Sequence, residues 1–260
     1  MAEEMVSFFL SWFANPNLIG IGLAFAFGVI WLVGYWPPLF KEPWLWAVLF
    51  VSAVLSLTAV SFIQIPLQYL VGQRLGYFWS QEVLMGWILL AGIPQLLLSG
   101  LVQEGSKLVP VVLWWLGEDR TLAPKRGLVI GAVAGFGLGV FEAVWAHNSI
   151  FAAGWGWDFV EAGGYMALAE FWERFFAVAF HIGVSGLAGY GLAREWGWQF
   201  YLLAAFLHSL LNYSVVLLRS GLLDVVDVEI YAAVVAVLVT ALVLWLRWRK
   251  SEETGEYEPQ

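Results

Sequence analysis

Apolar runs of about 20 residues recur along the chain, and they constrain its fold more than any other feature. A run of that length, coiled as an α-helix, spans the roughly 30 Å hydrocarbon layer of a bilayer. The runs lie at residues 17–36, 43–63, 85–116, 127–150, 168–190, 197–218 and 228–247. The pattern predicts an all-α fold, a polytopic transmembrane helical bundle of about seven to eight spans that has the lipid bilayer as its surroundings.

The composition agrees with a membrane protein. Hydrophobic residues make up 61% of the chain and charged residues 12%, against about 25% charged residues in a typical soluble domain. We interpret residues 1–260 as a single integral membrane domain, in which residues 85–218 form the core that carries the polar motifs. The net charge of −8, which comes mostly from the loops and the tail, predicts no nucleic-acid partner. The absence of cysteine excludes thiolate metal ligands and disulfides, and the acidic start predicts no cleaved signal peptide.

The run 85–116 is too long for a simple span, since a helix of that length measures roughly 48 Å. The run is either one long tilted helix, with a kink at Pro94, or a re-entrant turn followed by a span. We predict a single crossing, because two full crossings would be cramped. The segment 64–82 is predicted to lie at the membrane interface. The segment 151–166, which is rich in glycine and tryptophan, is predicted to be an outer loop.

Basic residues are distributed unequally between the two sides of the predicted bundle. If the C-terminus is cytoplasmic, seven spans place only Arg74 and Arg219 outside. The basic residues inside are then Lys41, Arg120, Lys125, Arg126, Arg194, Arg247, Arg249 and Lys250. This excess follows the positive-inside rule and predicts a cytoplasmic C-terminus.

Few ionisable residues fall at membrane depth, where each costs roughly 2.5–3.5 kcal/mol or more. Glu104 and Lys107 are three residues apart, so they share a helix face and can pair. Glu142 lies three residues after Gly139, the last of four glycines at four-residue spacing that begin at Gly127. Such a row lets a neighbouring helix approach closely, so Glu142 is predicted to face protein. A structural ion pair and a neutral packing glutamate are the alternatives for these residues.

Two further helices carry histidine. His181, Ser185 and Gly189 form another four-residue ladder, and Arg174 lies seven residues before His181 on nearly the same face. Arg174 is positioned to form a bidentate pair with a carboxylate of another helix.

His208 and Asn212 are one helical turn apart on a face otherwise flanked by leucine. His147 has no comparable polar residues near it on its helix, so we expect it at a membrane interface and assign it no role.

Glu104, Glu142, His181 and His208 thus come from four consecutive spans and are predicted to share one wet pocket. Carboxylate and imidazole groups suit zinc or another divalent ion, which leaves a position for water. A glutamate that is not a ligand is then a general base. The same residues are also able to activate water without a metal.

Four motifs in order, "QEGSK", "GFGLGVFEAVWAHN", "ERFFAVAFHIGVSGLAGYGL" and "HSLLN", resemble the PrsW and YhfC groups of intramembrane proteases. These groups belong with the CAAX-processing and bacteriocin-immunity (ABI, or CPBP) endopeptidases in one superfamily. The resemblance covers roughly residues 85–218. It implies an integral protein of a prokaryotic cytoplasmic membrane.

The first family motif is a double glutamate followed by a basic residue. Glu104 matches the second acid and Lys107 the basic position, whereas Gln103 replaces the first acid. This departure matters because the family is thought to use the two adjacent acids in catalysis.

The later motifs match more closely. Glu142 matches the acid of the second motif, His181 the histidine of the third, and His208 with Asn212 the HxxxN motif. The family assigns this last pair to metal binding or to oxyanion stabilisation. The resemblance therefore implies that Asn212 donates a hydrogen bond to a tetrahedral oxyanion. From its place on the helix face, Arg174 is predicted to support the site, as are Gln103 and Lys107.

We predict an intramembrane endopeptidase with Glu142, His181 and His208 as ligands of a divalent metal, zinc being the first choice. Its substrate is a membrane protein or a lipidated peptide. A non-catalytic scaffold or immunity-type pseudoprotease is the alternative suggested by Gln103 and the glycine rows. A proton-coupled transporter is a third class, because intramembrane Glu, His and Lys also mark proton relays.

Overall fold

The computed structural model describes residues 2–250, and the acidic tail 251–260 lies outside this range. All regular elements of the described part are helices. Those of the first half are α1 (Ala2–Ser11), α2 (Leu18–Val33), α3 (Trp44–Ala59), a π-helical turn (Val60–Gln64), α4 (Ile65–Phe78), α5 (Gln81–Gly86) and α6 (Ile88–Ala91). Those of the second half are α7 (Ile93–Gly117), α8 (Pro124–Ala152), α9 (Trp157–Gly163), a 3-10 helix (Gly164–Leu168), α10 (Ala169–Ala193), α11 (Gly197–Arg219) and α12 (Val225–Trp248).

The lengths of the helices confirm the predicted polytopic bundle. Within residues 2–250, six helical segments are long and apolar enough to cross a bilayer, and α2 is a shorter apolar helix. The run predicted at 85–116 yields one such segment, Ile88–Gly117, which agrees with a single crossing.

Three local predictions can be compared with the helices. The spanning segment Ile88–Gly117 is interrupted between α6 and α7 at Gly92, and Pro94 follows in the first turn of α7, where its missing N–H has no intrahelical partner to lose. Helix α3 continues through the π-helical turn into α4, with Gln64 buried in the bundle, while the place of the segment 64–82 at the membrane interface stays a prediction. The predicted outer loop 151–166 contains a helix, α9, followed by the 3-10 helix.

Helices α8 and α10 form the centre of the bundle, with α2, α3, α7, α11 and α12 packed around them. From Gly127 to Val140 every residue of α8 is buried, as expected for a helix surrounded on all sides. The predicted glycine seam is present. A Cβ at Gly135 would overlap the carbonyl oxygen of His181, and one at Gly131 would overlap that of Ser185. The missing side chains therefore allow α10 to bring His181 to the middle of the bundle.

His147 was expected at a membrane interface without a polar partner; its depth in the membrane stays a prediction, but it does have a partner. Its side chain is fully buried, with Nδ1 2.9 Å from the carbonyl oxygen of Gly20. The carbonyl accepts only, so Nδ1–H is the donor. The rings of Phe27 and Phe171 lie against the imidazole. His147 thus joins α8 to α2 at a distance from the other histidines.

Candidate active site

Four helices contribute carboxylate or imidazole side chains to a polar cluster in the centre of the bundle, one from each helix. Glu104 on α7 is 0% exposed, His181 on α10 3% and His208 on α11 2%. The side chain of Glu142 on α8 is 24% exposed. The structure therefore brings together the four residues that the sequence placed on consecutive spans.

Glu104 is held by three neighbours. Its Oε1 atom lies 2.5 Å from Lys107 Nζ and 2.6 Å from His208 Nδ1. Because a carboxylate accepts hydrogen bonds, His208 Nδ1–H is the donor. Ser185 Oγ donates to Oε2 at a longer 3.4 Å. The fully buried Glu104–Lys107 pair compensates two charges that would each be strongly unfavourable alone.

His181 connects Lys107 to Glu142. Its Nδ1 is 3.1 Å from Lys107 Nζ and its Nε2 is 2.9 Å from Glu142 Oε2. An ammonium group only donates, so Nδ1 accepts and the proton of a neutral ring is on Nε2. Nε2–H then donates to Glu142. This hydrogen bond fixes the tautomer and leaves the Nδ1 lone pair for Lys107. The ring centroid of His208 is 5.2 Å from that of His181.

Glu142 also faces a cleft of about 390 Å³. Arg174 lies beside it, with Nη1 3.6 Å from Glu142 Oε2. The closest partner of Arg174 is its own neighbour Glu173, which contacts the guanidinium through both carboxylate oxygens. The predicted bidentate pair with another helix is thus replaced by a pair within α10. Glu170 and Glu229 complete the acidic lining of the cleft.

Glu104, His181 and His208 offer three ligand atoms that all lie within 4.8 Å of one another. One carboxylate and two imidazoles are a donor set found in catalytic zinc sites, so the residues fit a divalent ion. Glu142, which the sequence suggested as a ligand, instead contacts the far nitrogen of His181. The Lys107 ammonium hydrogen-bonds to two of the same donors. A metal ion bound there would have to displace it.

Gln103 and Asn212 lie in a neighbouring network of amides and hydroxyls. Gln103 Nε2 donates to Gln64 Oε1 at 3.1 Å and to Ser99 Oγ at 3.2 Å. Asn212 Nδ2 donates to the same Ser99 Oγ at 3.2 Å. Sequence reasoning missed Gln64 and Ser99. The signal for Gln64 was a glutamine directly after the apolar run 43–63, which the predicted span boundary had placed outside the bundle.

A polytopic helical bundle with carboxylates and imidazoles gathered at its centre defines an integral membrane protein with a site suited to hydrolysis. The sequence model of the PrsW family intramembrane metalloproteases matches residues 41–244. The chain belongs to this family, and the match includes the four helices that form the polar cluster. No curated protein and no solved structure matches the chain. Its place in the wider endopeptidase superfamily stays a prediction.

Proposed function

We propose that the chain is a metal-dependent intramembrane endopeptidase that hydrolyses a peptide bond in a membrane-tethered or hydrophobic substrate. The observation that carries this proposal is the group Glu104, His181 and His208, with three potential ligand atoms within 4.8 Å at the centre of the bundle. Membership of the PrsW family supports proteolysis as the chemistry of that centre.

In this proposal Glu104, His181 and His208 hold the ion, and zinc fits their mixed oxygen and nitrogen donors. A divalent ion held there would supply Lewis acidity, which would polarise a carbonyl and increase the acidity of a bound water molecule. The assignment exchanges Glu142, expected from the sequence as a ligand, for Glu104. The exchange is favoured because a carboxylate oxygen of Glu104 and one nitrogen of each histidine lie within 4.8 Å of one another.

Glu142 is proposed as the positioning residue for His181. It accepts the Nε2–H of His181, which keeps Nδ1 unprotonated. Its side chain also lines a cleft, so Glu142 can exchange a proton with water there. Arg174 stabilises the carboxylate in its charged form.

Asn212 is proposed as an oxyanion donor. It lies one turn after His208 on α11, and its amide donates to Ser99. Turning this amide from Ser99 to the substrate carbonyl would provide a hydrogen bond that is worth about 3–4 kcal/mol in other proteases.

The three histidines of the chain provide a matched test of the metal site. Purified wild-type protein, His181→Ala, His208→Ala and His147→Gln would be loaded with Zn²⁺ and analysed by inductively coupled plasma mass spectrometry. Wild type and His147→Gln are expected to retain about one ion, because His147 bonds only to α2, and the other two variants to lose it. Retention by all four proteins would contradict the ligand assignment.

Proteolysis is tested separately. The same proteins would be reconstituted with a membrane-protein extract, and new N-termini would be identified by mass spectrometry, with and without EDTA. New termini that require His181 and are abolished by EDTA are expected. Normal zinc binding without any new terminus would contradict the protease proposal and favour the scaffold alternative.

A further inference from the structure

A cavity separate from the polar cluster lies between α7 and α11. The two helices touch at Gly100, where a Cβ would overlap the carbonyl oxygen of Ala205. Beyond this contact, towards the end of α7 and the start of α11, a wedge-shaped cavity of about 690 Å³ opens. This volume is within the range of about 300–1,000 Å³ that is typical of ligand sites.

The body of the wedge is apolar and lies on one face of α7. Gly105, Leu108 and Val112 follow one another at helical spacing along this face. Tyr201 forms the opposite wall, and its hydroxyl donates to the carbonyl oxygen of Leu101 at 2.9 Å. Glu104 is fully buried on another face of α7 and does not line the wedge. The wedge is therefore distinct from the candidate active site.

The mouth of the wedge carries one positive and one negative side chain. Arg120 comes from the connection between α7 and α8, and Glu195 from the connection between α10 and α11. The guanidinium of Arg120 lies 5.3 Å from the centroid of the Trp115 ring. Within residues 2–250, neither Arg120 nor Glu195 forms an ion pair. Both charges are therefore available to a ligand.

We propose that the wedge binds a phospholipid with a primary ammonium headgroup, of the phosphatidylethanolamine type. The phosphate pairs with Arg120, the ammonium donates hydrogen bonds to Glu195, and an acyl chain lies along Leu108 and Val112. A headgroup with a quaternary ammonium has no N–H to donate, and an anionic headgroup without an amine leaves Glu195 unpaired. Trp115 and Trp198 line the same mouth, as indoles do at the boundary between headgroups and acyl chains.

The position of the wedge gives the lipid a structural consequence. Helix α7 carries Glu104 and α11 carries His208, whose side chains are hydrogen-bonded to each other. A lipid that fills the space between these helices would fix their separation on the side of the Gly100 contact that leads to the end of α7 and the start of α11. It thereby supports the geometry of two residues of the polar cluster without touching either.

Native mass spectrometry of the purified protein tests the assignment. Phosphatidylethanolamine, phosphatidylcholine and phosphatidylglycerol with identical acyl chains would be titrated against wild type, Arg120→Gln, Glu195→Gln and the control Arg74→Gln. Arg74 is exposed on α4, away from the wedge. Wild type and the control are expected to prefer phosphatidylethanolamine by about tenfold, the value of one charge-assisted hydrogen bond.

The variants separate the two headgroup contacts. Arg120→Gln is expected to weaken binding of all three lipids about tenfold, because each has a phosphate. Glu195→Gln is expected to reduce only phosphatidylethanolamine to the level of phosphatidylcholine. A preference that survives in both variants, or equal binding of the three lipids to wild type, would overturn the proposal.

Val112→Trp provides a second measurement that does not depend on charge, because the larger side chain fills the apolar part of the wedge. It is expected to abolish the tight lipid adduct while the protein still retains bound Zn²⁺ to the same extent as wild type. A dimer in wild type that Val112→Trp dissociates would assign the wedge to a second copy of the chain and overturn the lipid assignment.

Discussion

Glu104 and Glu142 lie on opposite sides of the His181 ring and have contrasting surroundings. Glu104 has no exposed surface and is bonded to Lys107 and His208. Glu142 is 24% exposed, next to Arg174 and a cleft. Two identical side chains in different environments are suited to different tasks. The enclosed carboxylate is suited to hold a cation, and the carboxylate at the cleft is suited to exchange protons with water.

His181 links the two carboxylates, and its position depends on the glycine seam. Its ring reaches Glu142 through Nε2 and the Lys107–Glu104 pair through Nδ1. The close approach of α10 to α8 at Gly135 places the backbone of His181 there. The different surroundings of Glu104 and Glu142 therefore depend on how α8 and α10 pack, as well as on where the two residues lie in the sequence.

The largest effect is expected for Glu104→Gln, because it leaves the buried Lys107 ammonium without its carboxylate. Loss of one member of a buried ion pair costs about 3–5 kcal/mol. The double variant Glu104→Gln with Lys107→Met removes both charges and should recover most of that stability while remaining unable to bind Zn²⁺. Stability would be measured by unfolding in mixed detergent and denaturant, and metal content by mass spectrometry.

Two results of this experiment would contradict the description of the Glu104 side. One is a double variant as unstable as the single variant, since the ion pair would then not be the cause. The other is a double variant that binds Zn²⁺ like wild type, since Glu104 would then not be a ligand.

A smaller effect is expected for Glu142→Ala. Loss of a residue that orients a metal-binding histidine typically reduces metal affinity or activity about 10–100-fold. Zinc affinity would be measured by competition with a chelating dye, and activity by the yield of new N-termini. Glu170→Gln is the matched control, because Glu170 lines the same cleft without a contact to His181. Equal losses in both variants would assign the effect to the charge of the cleft rather than to His181.

The smallest effect is expected for Ser185→Ala. The hydroxyl lies 3.4 Å from Glu104 Oε2, beyond the usual range for an O–H···O bond, so its removal should change the free energy of unfolding by less than about 1 kcal/mol. Zinc content should be unchanged. A loss of several kcal/mol in the same unfolding assay would contradict the description of this hydrogen bond as weak.

The fold and the members of the cluster could be predicted from the sequence because the signals are local. Apolar runs of spanning length give the helices, and four-residue ladders give the face of His181 and the seam with Gly131 and Gly135. Ionisable residues at membrane depth carry a large free-energy cost and are therefore easy to recognise in a sequence. Here they are Glu104, Glu142, His181 and His208, which interrupt otherwise apolar helices.

The pairing within the cluster could not be predicted in the same way. Helical spacing gives the face on which a residue lies, but the height at which two helices meet decides whether Glu104 or Glu142 lies beside His208. The π-helical turn adds a further difficulty, because it changes the face of every residue after Val60 and turns Gln64 into the bundle. The burial of His147 had no signal in the sequence, because its partners Phe27 and Gly20 lie on a helix far away along the chain.

The lysine in the middle of the donor group has a consequence for how such a protein is made. With Lys107 bonded to Glu104 and His181, the newly inserted chain already contains a counter-charge for its most deeply buried acid. Assembly of the helices in the bilayer therefore does not have to wait for an ion. In the proposed metalloprotease, a divalent metal that arrives after assembly would take the place of the Lys107 ammonium, so that one cation would be exchanged for another in a protein that is already folded.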